Sequence, residues 1–128
     1  MIILDTHAWI WWRTDPGKLS TAAAQGIAAA DAVGLSSISV WELGTLVRRG
    51  RMSLDRDIRK WVRQALANPR VTVLAPEAEV ALAAALLDDS FPGDPADRLI
   101  YATAHRAGAR LVTRDDRVRR FDPARVLW

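Results

Sequence analysis

The sequence predicts an α/β sandwich around a short parallel sheet, and three observations carry that expectation. Four runs, Ile2 to Leu4, Val33 to Ser37, Val71 to Leu74 and Arg110 to Thr113, are short and almost wholly apolar, as strands covered on both faces must be. Between them lie stretches with helical spacing, and strands alternating with helices build parallel sheets. Caps and breakers (Ser20, Pro76, the Asp94-Pro95 pair, Gly50, Gly108) punctuate the alternation where helices begin and end.

Ile2, Ile3 and Leu4 read as a buried strand, and Ala8 to Trp12 as one or two helical turns ended by Asp15-Pro16-Gly17. Ser20 is placed to cap a helix through Ala30, and Val33 to Ser37 is a second strand weakened by Gly34. Ser39-Val40-Trp41-Glu42 has the S-x-x-E form of a capping box opening a helix to Arg49, with Gly50 stopping it. Asp55 to Leu66 reads as an amphipathic helix. Val71 to Leu74 is a β-branched strand between Pro69 and Pro76, and Glu77 to Leu87 a strongly apolar helix. After a loop over 88–93, Asp94 at the N-cap and Pro95 at the first helical position open a helix to Ala107, with Gly108 just beyond it. Arg110 to Thr113 is the last strand expected.

At 128 residues, half of them apolar, the chain is expected to be a single domain over residues 1–128, with core enough to need no staple. It has no cysteine, which excludes disulfides, zinc-thiolate sites and thiol nucleophiles. The longest apolar run, Val80 to Leu87, falls far short of the roughly 18 residues of a membrane span. The first residues lack a basic segment and carry Asp5 where a signal peptide would be apolar, so a cytoplasmic location is expected. Eighteen basic residues against fifteen acidic ones give a net charge of only +3, yet sixteen of the eighteen are arginine, the side chain suited to phosphate.

In open parallel sheets ligands bind beyond the carboxyl ends of the strands. Asp5 follows the first strand, Glu42 lies in the helix after the second, Asp97 in the opening turn of its helix, and Asp115 follows the last expected strand. Each has a structural use as well: Asp5 as a cap, Glu42 as half of a capping box, Asp97 as a complement to a helix dipole. Gathered together they repel, by roughly 4 kcal/mol per pair about 4 Å apart at an effective dielectric of 20. Such a group needs a cation or protons. An all-oxygen site suits a hard divalent ion, Mg²⁺ or Mn²⁺, singly or as a pair, and the arrangement is that of a phosphodiester-cleaving centre.

Ile3-Leu4-Asp5-Thr6-His7-Ala8, Ser39-Val40-Trp41-Glu42-Leu43, Gly93-Asp94-Pro95-Ala96-Asp97-Arg98-Leu99-Ile100-Tyr101-Ala102-Thr103-Ala104 and Leu111-Val112-Thr113-Arg114-Asp115 together resemble, in order and spacing, the successive motifs of PIN-domain proteins of the VapC-like toxin type. The resemblance spans essentially the whole chain. It implies a PIN-like α/β/α sandwich and a Mg²⁺- or Mn²⁺-dependent endoribonuclease leaving a 5′-phosphate and a 3′-hydroxyl. It places the metal-binding, catalytic carboxylates on Asp5, Glu42, Asp97 and Asp115, Asp5 and Asp97 foremost. It implies partners too: an RNA substrate, a cognate antitoxin whose C-terminal segment packs in an apolar groove, and a second copy in a homodimer. The alternative is a PIN-fold domain that binds RNA or antitoxin with little catalysis. Thr6, Ser39 and Thr113 are hydroxyls near the expected site, Asp94 reads as the helix N-cap with a reach to the metal through water as the alternative, Asp116 as pointing elsewhere, and His7 as a hydrogen-bonded structural residue.

Arg48, Arg49 and Arg51 form one basic cluster and Arg114, Arg117, Arg119 and Arg120 another. Arg48, Arg114, Arg117 and Arg98 are the candidates for RNA phosphate contacts, which would position a strand without reading its sequence. Six tryptophans are present, of which Trp9, Trp12 and Trp41 are expected at the antitoxin groove or dimer face. A response-regulator receiver would need a lysine after a late strand, and the only lysines are Lys18 and Lys60. A haloacid-dehalogenase-like phosphatase would need Asp at both ends of Asp5-Thr6-His7. The charge is segregated: residues 76–97 hold six acids and no base, and residues 98–128 eight arginines and three acids.

Overall fold

The computed structural model describes residues 1–128. Five strands, β1 (Ile2–Leu4), β2 (Val33–Ser36), β3 (Val71–Leu74), β4 (Arg110–Val112) and β5 (Val126–Leu127), form one sheet in the order β3-β2-β1-β4-β5. Every neighbouring pair is parallel, with Ile2 opposite Val33 on one side and Arg110 on the other. The chain walks from β1 outward to β3, then crosses to the far side of β1 to lay down β4. That reversal opens a crevice beyond the carboxyl ends of β1 and β4.

Seven helices surround the sheet: α1 (Thr6–Thr14), α2 (Thr21–Ala29), α3 (Ser37–Arg48), α4 (Ile58–Leu66), α5 (Ala78–Ala85), α6 (Pro95–Arg106) and α7 (Asp116–Phe121). Alternation along β1 divides the core. Ile2 and Leu4 pack with Trp9, Ile27, Leu35, Leu43 and Trp61 on one face, whereas Ile3 packs with Phe91, Ile100, Tyr101, Leu111 and Val118 on the other. Val80 and Ala84 of α5 pack on Ala102 of α6 as a further layer. Gly34 lies within β2 because a Cβ there would meet Ile3 Cγ1 at 2.9 Å. Gly50 and Gly108 follow α3 and α6 with φ of 69° and 62°, the left-handed turn that ends a helix and suits glycine.

Several boundaries differ from expectation. Helix α1 starts two residues earlier, at Thr6, because the Asp5 side chain caps it, accepting from Ala8 N–H at 2.7 Å. The N-cap of α3 is Ser36, whose hydroxyl accepts from Ile38 N–H at 3.2 Å, so Ser39 and Glu42 are not a capping box. Asp57 rather than Asp55 opens the fourth helix, and α5 stops at Ala85. Helix α7 and strand β5 were not anticipated, and they make β5, not β4, the sheet's last strand. No helix is long and apolar enough to cross a membrane.

Candidate functional site

The crevice beyond β1 and β4 is lined by Asp5, Glu42, Asp94, Asp97 and Asp115, together with Thr6, His7, Trp11, Thr113, Arg114 and Arg117. All four carboxylates singled out in the sequence therefore share one cleft, and Asp94 joins them. Each arrives by a different local device. Asp5 and Asp115 cap the helices that leave β1 and β4, Glu42 projects from the second turn of α3, and Asp97 from the first turn of α6. Asp94 caps α6 through Oδ1, which accepts from Ala96 N–H at 2.8 Å. Oxygens of Glu42, Asp94 and Asp97 lie within 4.8 Å of one another, the spacing of a cation-holding group.

The electrostatics sort these acids. Asp97 is pushed up to about 7 by burial first, then by the charges of Asp94, Glu42, Asp5 and Asp115. Burial also raises Asp5, against the opposing hydrogen bonds from Thr113 and Ala8. Glu42 is raised by burial and by Asp94, and the Thr6 hydroxyl, which donates to its Oε1, works the other way. Asp115 differs: it too is partly buried, but Arg117 donates to it from the backbone N–H at 2.8 Å and from the guanidinium at 3.1 Å, so its carboxyl sits below the usual range. Asp115 is thus neutralised at the rim by a neighbouring cation, whereas Glu42, Asp94 and Asp97 have no cation paired with them. An uncompensated group of oxygen ligands in a half-buried cleft fits a hard divalent ion.

Other expectations divide. Thr6 and Thr113 are at the site, and Thr113 Oγ1 also accepts from Asp115 N–H at 3.1 Å. Ser39 is not: its hydroxyl is buried with no hydrogen-bond partner and does not line the cleft. Asp116 points away and pairs with Arg119. His7 is exposed on the cleft wall, its ring 5.8 Å from that of Trp11, rather than held by structural hydrogen bonds. Trp9 is fully buried edge-on to Trp61, so it belongs to no groove, and Trp12 packs half-buried on the same core. Trp41 is exposed.

Among the arginines, Arg114 and Arg117 line the cleft, with Arg114 over the Trp11 ring at 6.0 Å, and Arg48 is exposed on α3. Arg98 is a correction. Its guanidinium donates to the carbonyls of Leu87 at 2.9 Å, Ala84 at 3.3 Å, and Asp88 and Phe91 at 3.4 Å each, and lies over the Phe91 ring. It fastens the turn after α5 and is spent on the backbone rather than available to phosphate. Three cleft residues that sequence reasoning left outside the catalytic set are Asp94, His7 and Trp11. Asp94 reads first as a cap, with a reach to the metal through water as the alternative; a carboxylate has two oxygens, and capping uses only Oδ1. Trp11 had only its helical spacing from Trp12 to mark it.

The PIN domain family model matches residues 2–123. The chain is 44% identical over 118 residues to Ribonuclease VapC22 of Mycobacterium tuberculosis, covering 92% of this chain and 89% of that protein. Its fold resembles a chain of the DNA-bound VapBC2 complex of Rickettsia felis, with a TM-score of 0.71 at 17% identity over 98% of this chain and 97% of that one. It also resembles Mycobacterium tuberculosis VapC20, a Sarcin-Ricin loop cleaving toxin, with a TM-score of 0.61 at 21% identity over 86% and 85% of the two chains. At those identities the structural matches speak for the fold alone.

Proposed function

Because this chain belongs to the PIN-domain family, and within it stands beside a VapC ribonuclease at 44% identity, we propose that it is a divalent-metal-dependent endoribonuclease and the toxin of a toxin–antitoxin pair. The observation that carries the reading is the trio of Glu42, Asp94 and Asp97 oxygens within 4.8 Å, set in the crevice where the strand order reverses. Asp97, Glu42 and Asp5 hold Mg²⁺ or Mn²⁺, Asp94 contributes its second oxygen, and Asp115 closes the site from the rim. The chemistry such an ion supplies is acidification of a water and neutralisation of charge growing on the phosphoryl oxygens. Thr6 fixes Glu42 by donating to Oε1, which leaves Oε2 without a hydrogen bond. Arg114, which is in no ion pair, sets a positive potential at the mouth, drawing the RNA backbone toward a centre its own charge would repel. RNA as substrate makes the cytoplasm the place of action. The cognate antitoxin and a second copy of the chain are the proposed partners.

The test is cleavage of total cellular RNA by the purified protein. With Mg²⁺ or Mn²⁺ we expect fragments bearing 5′-phosphates, and with EDTA none. Cleavage that persists in EDTA would overturn the metal-carboxylate reading, and RNA binding without cleavage in either ion would leave a binding domain in its place.

Thr6→Val removes the only hydroxyl donor to Glu42. Its carboxyl should then titrate higher, since burial and Asp94 push it up against the weaker opposition of His7 alone. Turnover at neutral pH should fall on the order of tenfold, the usual value of a hydrogen bond to a charged group. The acid limb of the pH–rate profile should move to higher pH, and Thr6→Ser should restore both.

A further inference from the structure

Three hollows on the surface are joined end to end. The carboxylate cleft shares Arg117 with a hollow lined by Ser90, Pro92, Arg120 and Phe121. On its other side it shares Glu42 and Asp94 with a hollow running along α3, lined by Trp41, Thr45, Arg48, Arg49 and Arg51. The track thus runs basic, acidic, basic. That is the charge order a polyanion requires if one of its phosphates is to sit among carboxylates while its neighbours leave on both sides.

The α3 hollow carries two features without a use in the fold. Arg48, Arg49 and Arg51 are exposed and take part in none of the protein's five ion pairs. Cations at the end of a helix complement its dipole, but that does not account for Trp41, about two turns upstream. Trp41 is 64% exposed, in contrast to the wholly buried Trp9 and the 6% exposed Trp61. Trp41, Thr45 and Arg48 follow one another at i, i+4 and i+7, so they stand in a row on one face of α3, about 10 Å from end to end at 1.5 Å per residue. An aromatic plate followed by cations, continuous with the cluster that would handle a phosphate, is the combination by which single strands are held: bases stack on the ring and the backbone runs along the charges.

Building on the ribonuclease reading, we infer that RNA leaves the carboxylate cleft along α3, with an unpaired base stacked on Trp41 and the following phosphates held by Arg48, Arg49 and Arg51. The substrate is therefore single-stranded where it crosses this helix, because within a duplex both faces of a base are stacked on its neighbours.

The experiment measures binding of a short fluorescent single-stranded RNA of random sequence, with Mg²⁺ present, to protein carrying Asp97→Asn so that the probe is not cut. Adding Trp41→Ala should weaken binding roughly tenfold or more, the scale of one lost base stack, and leave the salt dependence unchanged. Trp41→Phe should keep most of the affinity. Replacing Arg48, Arg49 and Arg51 together by Ala should lower the slope of log K against log salt by about 2, at about 0.7 per phosphate contact on a single strand. With the probe annealed to its complement, Trp41→Ala should change nothing. Unaltered single-strand affinity in Trp41→Ala, or an equal loss on the duplex, would overturn the inference, and cleavage of RNA by the wild-type protein would then leave the ribonuclease reading standing. A Trp41→Ala defect seen only in binding to the antitoxin encoded beside this chain would overturn it in favour of a protein-facing tryptophan. A wild-type protein that neither binds nor cuts RNA would remove both readings.

Discussion

Asp97→Asn is expected to reduce RNA cleavage in saturating Mg²⁺ on the order of a thousandfold, several kcal/mol of lost metal-assisted stabilisation. The same change should make the metal-free protein more stable at neutral and alkaline pH. Asp97 titrates near 7 in the folded chain because it is buried and faces four other carboxylates, against 3.8 for the free side chain. The folded state therefore holds a proton more tightly than the unfolded one. Stability from this source is complete below about pH 4 and is lost as pH rises toward and through 7. Asparagine carries no such liability, so in EDTA the variant's melting temperature should match the wild type's near pH 4 and exceed it at pH 8. Mg²⁺ should narrow the gap at pH 8. An ion at a hundred times its dissociation constant adds about 2.7 kcal/mol to a protein that binds it, on the order of 10 °C for a domain of this size. A wild type whose EDTA melting temperature does not fall between pH 4 and 8 relative to the variant would show that Asp97 does not carry this burden.

Arg98→Ala should cost roughly 2 kcal/mol of stability, since truncation leaves partly buried carbonyls without the charged donor that satisfies them. Four carbonyls between Ala84 and Phe91 share this one guanidinium. Lysine offers a single compact charge in place of a planar fork, so Arg98→Lys should recover less than half of the loss. The two variants also decide Arg98's role. A structural clamp lowers the denaturation midpoint and leaves the salt slope of RNA binding untouched. A phosphate contact would do the opposite, flattening the slope with little effect on the midpoint. Some loss of activity should accompany the loss of stability, because the turn held by Arg98 leads directly into Asp94 and Asp97.

These two residues, one apart in the chain, show what was legible beforehand. Asp97 was readable because its role depends on where it stands in a helix, and Asp94-Pro95 announces that start unambiguously. Strands β1 to β4 were readable from their apolar runs. Arg98 was misread because its partners lie 7 to 14 residues away, at distances only the packing of α5 on α6 creates. The serines before α3 misled for a different reason. Ser36, Ser37 and Ser39 are all competent caps, and the S-x-x-E pattern favours Ser39. The choice falls on Ser36 because that residue ends the strand, still in register with Leu74. Helix α7 has six residues and β5 two, too few for any periodicity to show. Likewise nothing local separates Trp9, sealed against Trp61, from Trp41, left in solvent.

The position of β1 in the middle of the sheet has a consequence for when the site comes into being. Asp5 precedes every other residue of the cleft in the chain, yet it takes its place only once β1 is flanked on both sides. One flank is β2, available after residue 36, and the other is β4, which ends at residue 112. Asp97 and Asp115 also come late. A growing chain thus passes through most of its length with its acidic residues dispersed. The cleft can close only after nearly the whole domain has been made, and it depends on contacts between remote segments, which are slow to form.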